Sequence, residues 1–272
     1  PICAEGGLVH GDDRIMPKVM LVGRDQEKLA ALAQQYNVAA WSTDLDAAIE
    51  NPDYPIVFDA AATHARLKTL QKAVAAGKHI YTEKPVAPSV QQGLALAEAA
   101  EARGLKHGAV EDKLYLPGLS KLAYLKEIGF FGRIVNFKLD FGWWVFDGAH
   151  TPSQRPSWNY KSTGGGGLMF DMYPHWRYVV EGLLGPIRQL VSASWTAQPE
   201  RIDERGARFD VDVDDSVSTI VELESGAFGT ILSSWATRVR RDDLITLQID
   251  GTHGSAIAGL HRCHVQSLAE TP

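Results

Sequence analysis

Over roughly the first 110 residues, short apolar runs alternate with stretches of helical periodicity, and no other feature of the chain constrains its fold as strongly. Residues 18–22, Lys-Val-Met-Leu-Val, are a mostly apolar run that stops at Gly23 and reads as a buried strand. Leu29, Leu32, Ala33 and Tyr36 then share one face at helical spacing. Residues 39–42 and 56–60 read as two further strands, with a helix over 44–49 between them. Leu67, Leu70 and Val74 mark another helix, which Gly77 closes from just past its end. A strand over 79–82, a helix over 89–103 stopped by Gly104, and a strand over 106–110 complete the series. Successive strands separated by crossover helices run in the same direction, so this half is expected to form a doubly wound parallel sheet.

Beyond a helix over 117–128 the period changes. Val135, Phe137, Leu139 and Phe141 alternate with Asn136, Lys138 and Asp140, as in a sheet wet on one face. Ile245, Leu247 and Ile249 repeat the pattern, and Thr219, Val221 and Leu223 lead into a hairpin turn at Glu224-Ser225-Gly226-Ala227. One helix over 171–184, closed by Gly185, interrupts these strands. The expected organisation is an α/β domain over 1–114 and an α+β domain with a mainly antiparallel open sheet over 115–272.

The formal charge of −6 argues against nucleic acid or an anionic membrane as the main partner. No apolar stretch approaches the roughly 18 residues that cross a bilayer, and two cysteines, Cys3 and Cys263, make no disulfide framework. A cytoplasmic, enzyme-sized protein is the expectation. His261-Arg262-Cys263-His264 holds metal-ligand types, but no second cluster completes four ligands, so no metal is expected. The glycines 164–167 lack the Lys-Ser/Thr ending of a P-loop, and no Gly-x-Ser-x-Gly elbow anchors a hydrolase triad. Arg238, Arg240 and Arg241 beside Asp242 and Asp243 read as a solvated face.

Ligands of open parallel sheets bind beyond the carboxyl ends of the strands. At the first such end, Gly23 stands where an acid would hold a ribose 2′-hydroxyl, and Arg24 can pair with a 2′-phosphate, which favours NADP over NAD. The plain alternative is a strand-to-helix turn with a solvated arginine. At the second, Ala61, Ala62 and Thr63 permit close backbone approach, or simply tight packing. The third carries Glu83-Lys84-Pro85, which holds an ammonium at the ligand edge, or is a surface charge pair. Asp171 and His175 are four apart and share a helix face, where a carboxylate can tune an imidazole as a base. The glycine run and the flanking Trp158, Tyr160, Tyr173 and Trp176 favour a pocket wall there over a bare helix surface.

In order along the chain, Glu83-Lys84-Pro85, the glycine run followed by Asp171-Met172-Tyr173-Pro174-His175, and Gly251-Thr252-His253-Gly254 resemble the signatures of the glucose–fructose oxidoreductase/inositol dehydrogenase/rhizopine catabolism (Gfo/Idh/MocA) family. The resemblance runs from about Val19 to Ala256 and implies a Rossmann-type nucleotide domain with NADP or NAD as cofactor. It implies hydride transfer to or from a hydroxyl-bearing carbon of a sugar, cyclitol or related polyol. Lys84, Asp171 and His175 are then the catalytic residues. His175 takes the hydroxyl proton as hydride leaves for the nicotinamide, Lys84 hydrogen-bonds the same oxygen, and Asp171 fixes substrate and imidazole. Gly23, Arg24, Ala61, Ala62, Thr63, Glu83, Lys84 and Pro85 are expected at the cofactor. Lys84, Trp158, Tyr160, Asp171 and His175 are expected at the substrate, and a homodimer or homotetramer through the open sheet face is implied. The scheme requires the ammonium of the first half and the imidazole of the second to meet.

The chain departs from the family pattern in four places. The opening strand with its Gly-x-Gly-x-x-Gly loop is absent, and Gly6, Gly7 and Gly11 follow no strand, so missing N-terminal residues are expected, as are missing C-terminal strands. Thr-Pro-Asn is replaced by Ala61-Ala62-Thr63, the following histidine by Arg66, and Asn-x-Arg by Glu111-Asp112-Lys113. Two other readings compete with the dehydrogenase: a family member that uses bound NAD for elimination or glycosidic cleavage, and a nucleotide sensor without turnover. Retention of Lys84, Asp171 and His175 favours an enzyme, because a sensor needs no proton acceptor.

Overall fold

Helix starts in the first half are set by side-chain caps. Asp25 accepts the Lys28 backbone N–H at 3.0 Å and opens α1 (Gln26–Tyr36). Asp44 likewise caps α2 (Leu45–Glu50), and Ser89 caps α4 (Val90–Glu101), with α3 (Thr63–Ala75) between them. The computed structural model describes residues 5–61, 63–240 and 243–270, and the chain divides into two units, Pro1–Ala109 and Val110–Pro272. Ala62 therefore lies outside the described residues.

In the first unit the strands are β1 (Leu8–His10), β2 (Asp13–Ile15), β3 (Met20–Val22), β4 (Ala40–Ser42), β5 (Ile56–Asp59), β6 (His79–Thr82) and β7 (His107–Ala109). The expected parallel order is present, since β3 pairs with β4, and β5, β6 and β7 pair in turn. One difference is plain: the sequence pattern predicts a single sheet, whereas the described strands form a two-stranded and a three-stranded parallel sheet. Leu8–His10 and Asp13–Ile15 pair with each other as the exposed hairpin β1–β2, and among the described residues no strand bridges β3 and β5. Ile56 and Phe58 on β5 are left exposed in consequence. The core lies where α3 and α4 pack on β6, through Leu70, Ala73, Val74, Ile80, Leu96 and Ala100.

The second unit contains α5 (Pro117–Glu127), α6 (Leu168–Leu184) and strands β8 (Ile134–Phe141), β9 (Ile187–Trp195), β10 (Glu200–Ile202), β11 (Arg208–Asp210), β12 (Ser216–Leu223), β13 (Phe228–Ser234), β14 (Ile245–Gly251), β15 (Gly254–Ala258) and β16 (Cys263–Ser267). Among the described residues, seven of these strands form one sheet in the order β16-β15-β14-β8-β13-β12-β9. It is antiparallel throughout except between β8 and β13. The alternation read from the sequence sets its two faces. Phe137, Leu139, Phe141, Val217, Val221, Ile245, Leu247 and Ile249 point into the core, where α6 contributes Leu168, Met172, Trp176, Val179, Val180 and Leu183. Each such apolar side chain contributes about 1.5–3 kcal/mol on burial, which pins α6 to this face. The opposite face exposes Ile220, Phe228, Leu232 and Ile257. Among the described residues no helix is long and apolar enough to cross a membrane.

Candidate active site

The strand-end loops of the first unit carry the expected cofactor residues. After β3, a Cβ on Gly23 would lie 3.3 Å from Leu29 Cδ2, so the turn into α1 is tight. Asp25 is engaged as the helix cap, which leaves the exposed Arg24 as the charged side chain that this turn offers. After β5 come Ala60 and Ala61, and Thr63 begins α3. After β6 the half-buried Glu83, Lys84 and Pro85 follow, with a cis peptide between Lys84 and Pro85.

A buried polar network ties the last two loops together. Arg66, on α3 and 3% exposed, donates from Nε to Asp59 Oδ2 at 2.8 Å. Its two terminal nitrogens donate to the carbonyl oxygens of Ala61 and Pro85, each at 2.6 Å. The Thr82 hydroxyl donates to Asp59 Oδ2 at 3.2 Å, and Glu83 N–H reaches the Asp59 carbonyl at 2.9 Å. In the sequence Arg66 stands out only as a departure from the family's histidine; its three partners lie 5, 7 and 19 positions away.

In the second unit, Asp171 and His175 lie one turn apart on α6. The Asp171 carboxylate forms an ion pair with Arg155, whose other terminal nitrogen lies 3.2 Å from Met172 Sδ. The Arg155 guanidinium sits 4.9 Å and 4.7 Å from the ring centres of Phe146 and Trp235, which hold its plane. His175 is buried, and its Nδ1 lies 3.1 Å from the Tyr178 hydroxyl. Glu111 and Asp112 place carboxylate oxygens 3.8 Å and 3.9 Å from the same nitrogen. The Tyr178 oxygen also accepts the Lys113 backbone N–H at 2.8 Å, and burial holds its phenol far above the ordinary value, so it stays neutral. Burial alone would raise the Asp112 carboxyl, but hydrogen bonding and charge from Lys113, together with His175, hold it below its usual value.

The roles in the His175–Tyr178 contact depend on the imidazole tautomer; with the proton on Nδ1, beside the two carboxylates, Nε2 is left as the acceptor nitrogen. Among the groups named here, sequence reasoning missed Arg155 and Tyr178 and saw Glu111 and Asp112 only as departures from a pattern. The i, i+3 spacing of His175 and Tyr178 was the one local signal available.

The aromatic flank divides. Trp158 is exposed and Tyr173 half-buried, with its hydroxyl 2.6 Å from Thr219 Oγ1. Tyr160, expected at the substrate, is instead core: it is 1% exposed, and its hydroxyl meets the Phe146 carbonyl at 2.9 Å and Ser153 Oγ at 2.8 Å. Trp176 is core as well, because α6 turns it onto Phe141. The glycine run has a packing function here, since a Cβ at Gly166 would lie 2.2 Å from the Asn159 carbonyl oxygen. Arg238 and Arg240 are exposed, as a solvated face requires. Arg238 meets Asp147 at 3.4 Å and Arg240 stacks on Trp144, both partners lying on the loop after β8. Arg241 and Asp242 lie outside the described residues.

Comparison with known proteins agrees with this layout. Residues 10–109 match the model of an oxidoreductase family with an NAD-binding Rossmann fold, and residues 121–257 match the Gfo/Idh/MocA C-terminal domain. The chain is 46% identical over 277 residues to a D-xylose dehydrogenase of Paenarthrobacter nicotinovorans, covering 100% of this chain and 71% of that protein. It is 27% identical over 264 residues to a levoglucosan dehydrogenase of Pseudarthrobacter phenanthrenivorans, covering 91% of this chain and 66% of that one. A solved levoglucosan dehydrogenase, in complex with NADH and L-sorbose, superposes with a TM-score of 0.82 at 25% identity, over 93% of this chain and 68% of that one. With both domain models matched in order and the signature residues in place, the chain belongs to the Gfo/Idh/MocA family of oxidoreductases.

Proposed function

We propose that this chain is an NAD(P)-dependent sugar dehydrogenase that oxidises a hydroxyl-bearing carbon of an aldose, with D-xylose the first substrate to test. The observation that carries the reading is the 46% identity, across the whole chain, to a protein named for that activity.

The first unit's residues fit a dinucleotide. Small residues stand at Gly23 and Ala61, where backbone must approach a ligand, and Arg24 offers a cation where Asp25 is already engaged by the helix. Gly23, Arg24, Ala61, Ala62, Thr63, Glu83, Lys84 and Pro85 would hold it, and Arg24 inclines the choice to NADP. Bound NAD(P)⁺ supplies the hydride acceptor.

The chain's own groups handle the proton. His175 Nε2 takes the hydroxyl proton, and the carboxylates of Glu111 and Asp112 near Nδ1 stabilise the imidazolium that results. Lys84 donates a hydrogen bond to the reacting oxygen and stabilises its developing negative charge. Asp171, held by Arg155, accepts from a neighbouring sugar hydroxyl, and Trp158 offers an exposed aromatic face to the ring. The apolar outer face of the second unit's sheet supports a homodimer or homotetramer. The test is absorbance of reduced nicotinamide with D-xylose and other aldoses and polyols, using each cofactor. Steady production of reduced cofactor is expected; cofactor binding without turnover across the panel would replace the dehydrogenase by a sensor.

A further inference from the structure

We infer that Arg66 is a positioning residue: its planar guanidinium fixes the loop after β5 to the Lys84-Pro85 turn after β6, and so sets where the Lys84 ammonium is presented. The inference rests on the proposed role of Lys84.

Three features single Arg66 out. It is nearly fully buried, so its charge is not there for solubility. It bridges three separate acceptors, the Asp59 carboxylate and the carbonyls of Ala61 and Pro85, with one rigid group. Two of those acceptors lie next to residues expected at the ligand, since Ala61 precedes Ala62 and Pro85 follows Lys84. Lysine at this place would keep the charge that Asp59 needs, but a single ammonium cannot reproduce the flat fork that holds all three acceptors. The carboxylate would stay paired while the Pro85 carbonyl lost its tether. Thr82, which donates to the same Asp59 oxygen, is the adjoining brace.

This geometry separates positioning from bulk stability. Arg66→Lys should fold and bind cofactor, and with D-xylose and NADP⁺ its kcat should fall roughly tenfold or more, while KM for the sugar changes by less than about threefold. Combined with Lys84→Ala, Arg66→Lys should add almost nothing to the loss caused by Lys84→Ala alone, because the group it positions is already gone. If Arg66→Lys does not fold, Thr82→Val supplies the same test with the cation retained and a smaller expected loss of about threefold. A folded Arg66→Lys with wild-type kcat, or losses that multiply in the double variant, overturns the inference while leaving Lys84 catalytic. Wild-type turnover in Lys84→Ala is a different outcome, which removes the role of Lys84 and the inference with it.

Discussion

Arg155 reaches across 16 residues of sequence to form an ion pair with Asp171, and both side chains are mostly shielded from water. A carboxylate held this way keeps one orientation, as the proposed acceptor of a sugar hydroxyl must. Arg155→Gln removes the cation and leaves the carboxylate half-buried without it. Hydrogen bonds to charged groups are worth about 1.5–3 kcal/mol, so kcat/KM for D-xylose should fall about tenfold or more. Steady-state kinetics on a folded variant decide the matter, and an unchanged kcat/KM would show that the pair plays no part in substrate binding.

Lys84 sits in a turn braced by buried groups rather than on a loose surface loop. Lys84→Ala should slow hydride transfer by at least about a hundredfold, the scale of a lost acid–base group. Single-turnover absorbance of the reduced cofactor isolates that step from product release. A rate within a few-fold of wild type would refute the assignment.

At the end of β3, Asp25 caps α1 and Arg24 is exposed. If Arg24 pairs with a 2′-phosphate, Arg24→Ala should weaken NADP binding about tenfold or more, on the scale of a lost charged hydrogen bond, and leave NAD binding nearly unchanged. Fluorescence titration with each reduced cofactor reads both constants, and equal effects on the two would remove the argument for NADP.

Glu204 ties the segment around Trp158 to the loop after β10. It accepts the Ser157 backbone N–H at 2.7 Å and the Ser157 hydroxyl at 2.9 Å. These hydrogen bonds hold its carboxyl below the usual carboxylate range. A depressed folded pKa stabilises the fold above the unfolded value, about 4.3, and that contribution disappears as pH falls through the folded value. The gap in Tm between wild type and Glu204→Gln should therefore shrink between about pH 7 and about pH 3. Thermal unfolding across that range tests it; a gap that widened on acidification would contradict the linkage.

Much of the architecture was legible because it is written in local spacing. The caps at Asp44 and Ser89 stand at the expected helix starts, and Gly77 adopts the positive φ, 75°, that a helix-closing residue needs. The alternation through Val135 to Phe141 placed Phe137, Leu139 and Phe141 on the buried face. The candidate site was legible only in part. Lys84, Asp171 and His175 announce themselves by motif, but Tyr160 reads the same in sequence whether it faces a ligand or the core. Arg66, Arg155 and Glu111 carry no periodic signature at all.

From its residues alone, the chain determined the succession of strands and helices from Met20 to Ala109, which face of the alternating strands is apolar, and which signature groups stand at strand ends and on α6. Those properties depend on backbone conformation and side-chain hydrophobicity within a few residues of one another. Tertiary structure alone decided which distant polar groups become partners: Arg66 with the Asp59 carboxylate and the Pro85 carbonyl, Arg155 with Asp171, Glu111 and Asp112 with His175. An ion pair forms wherever folding removes two opposite charges from water together, and the loops that bring them together leave no repeating trace in the sequence.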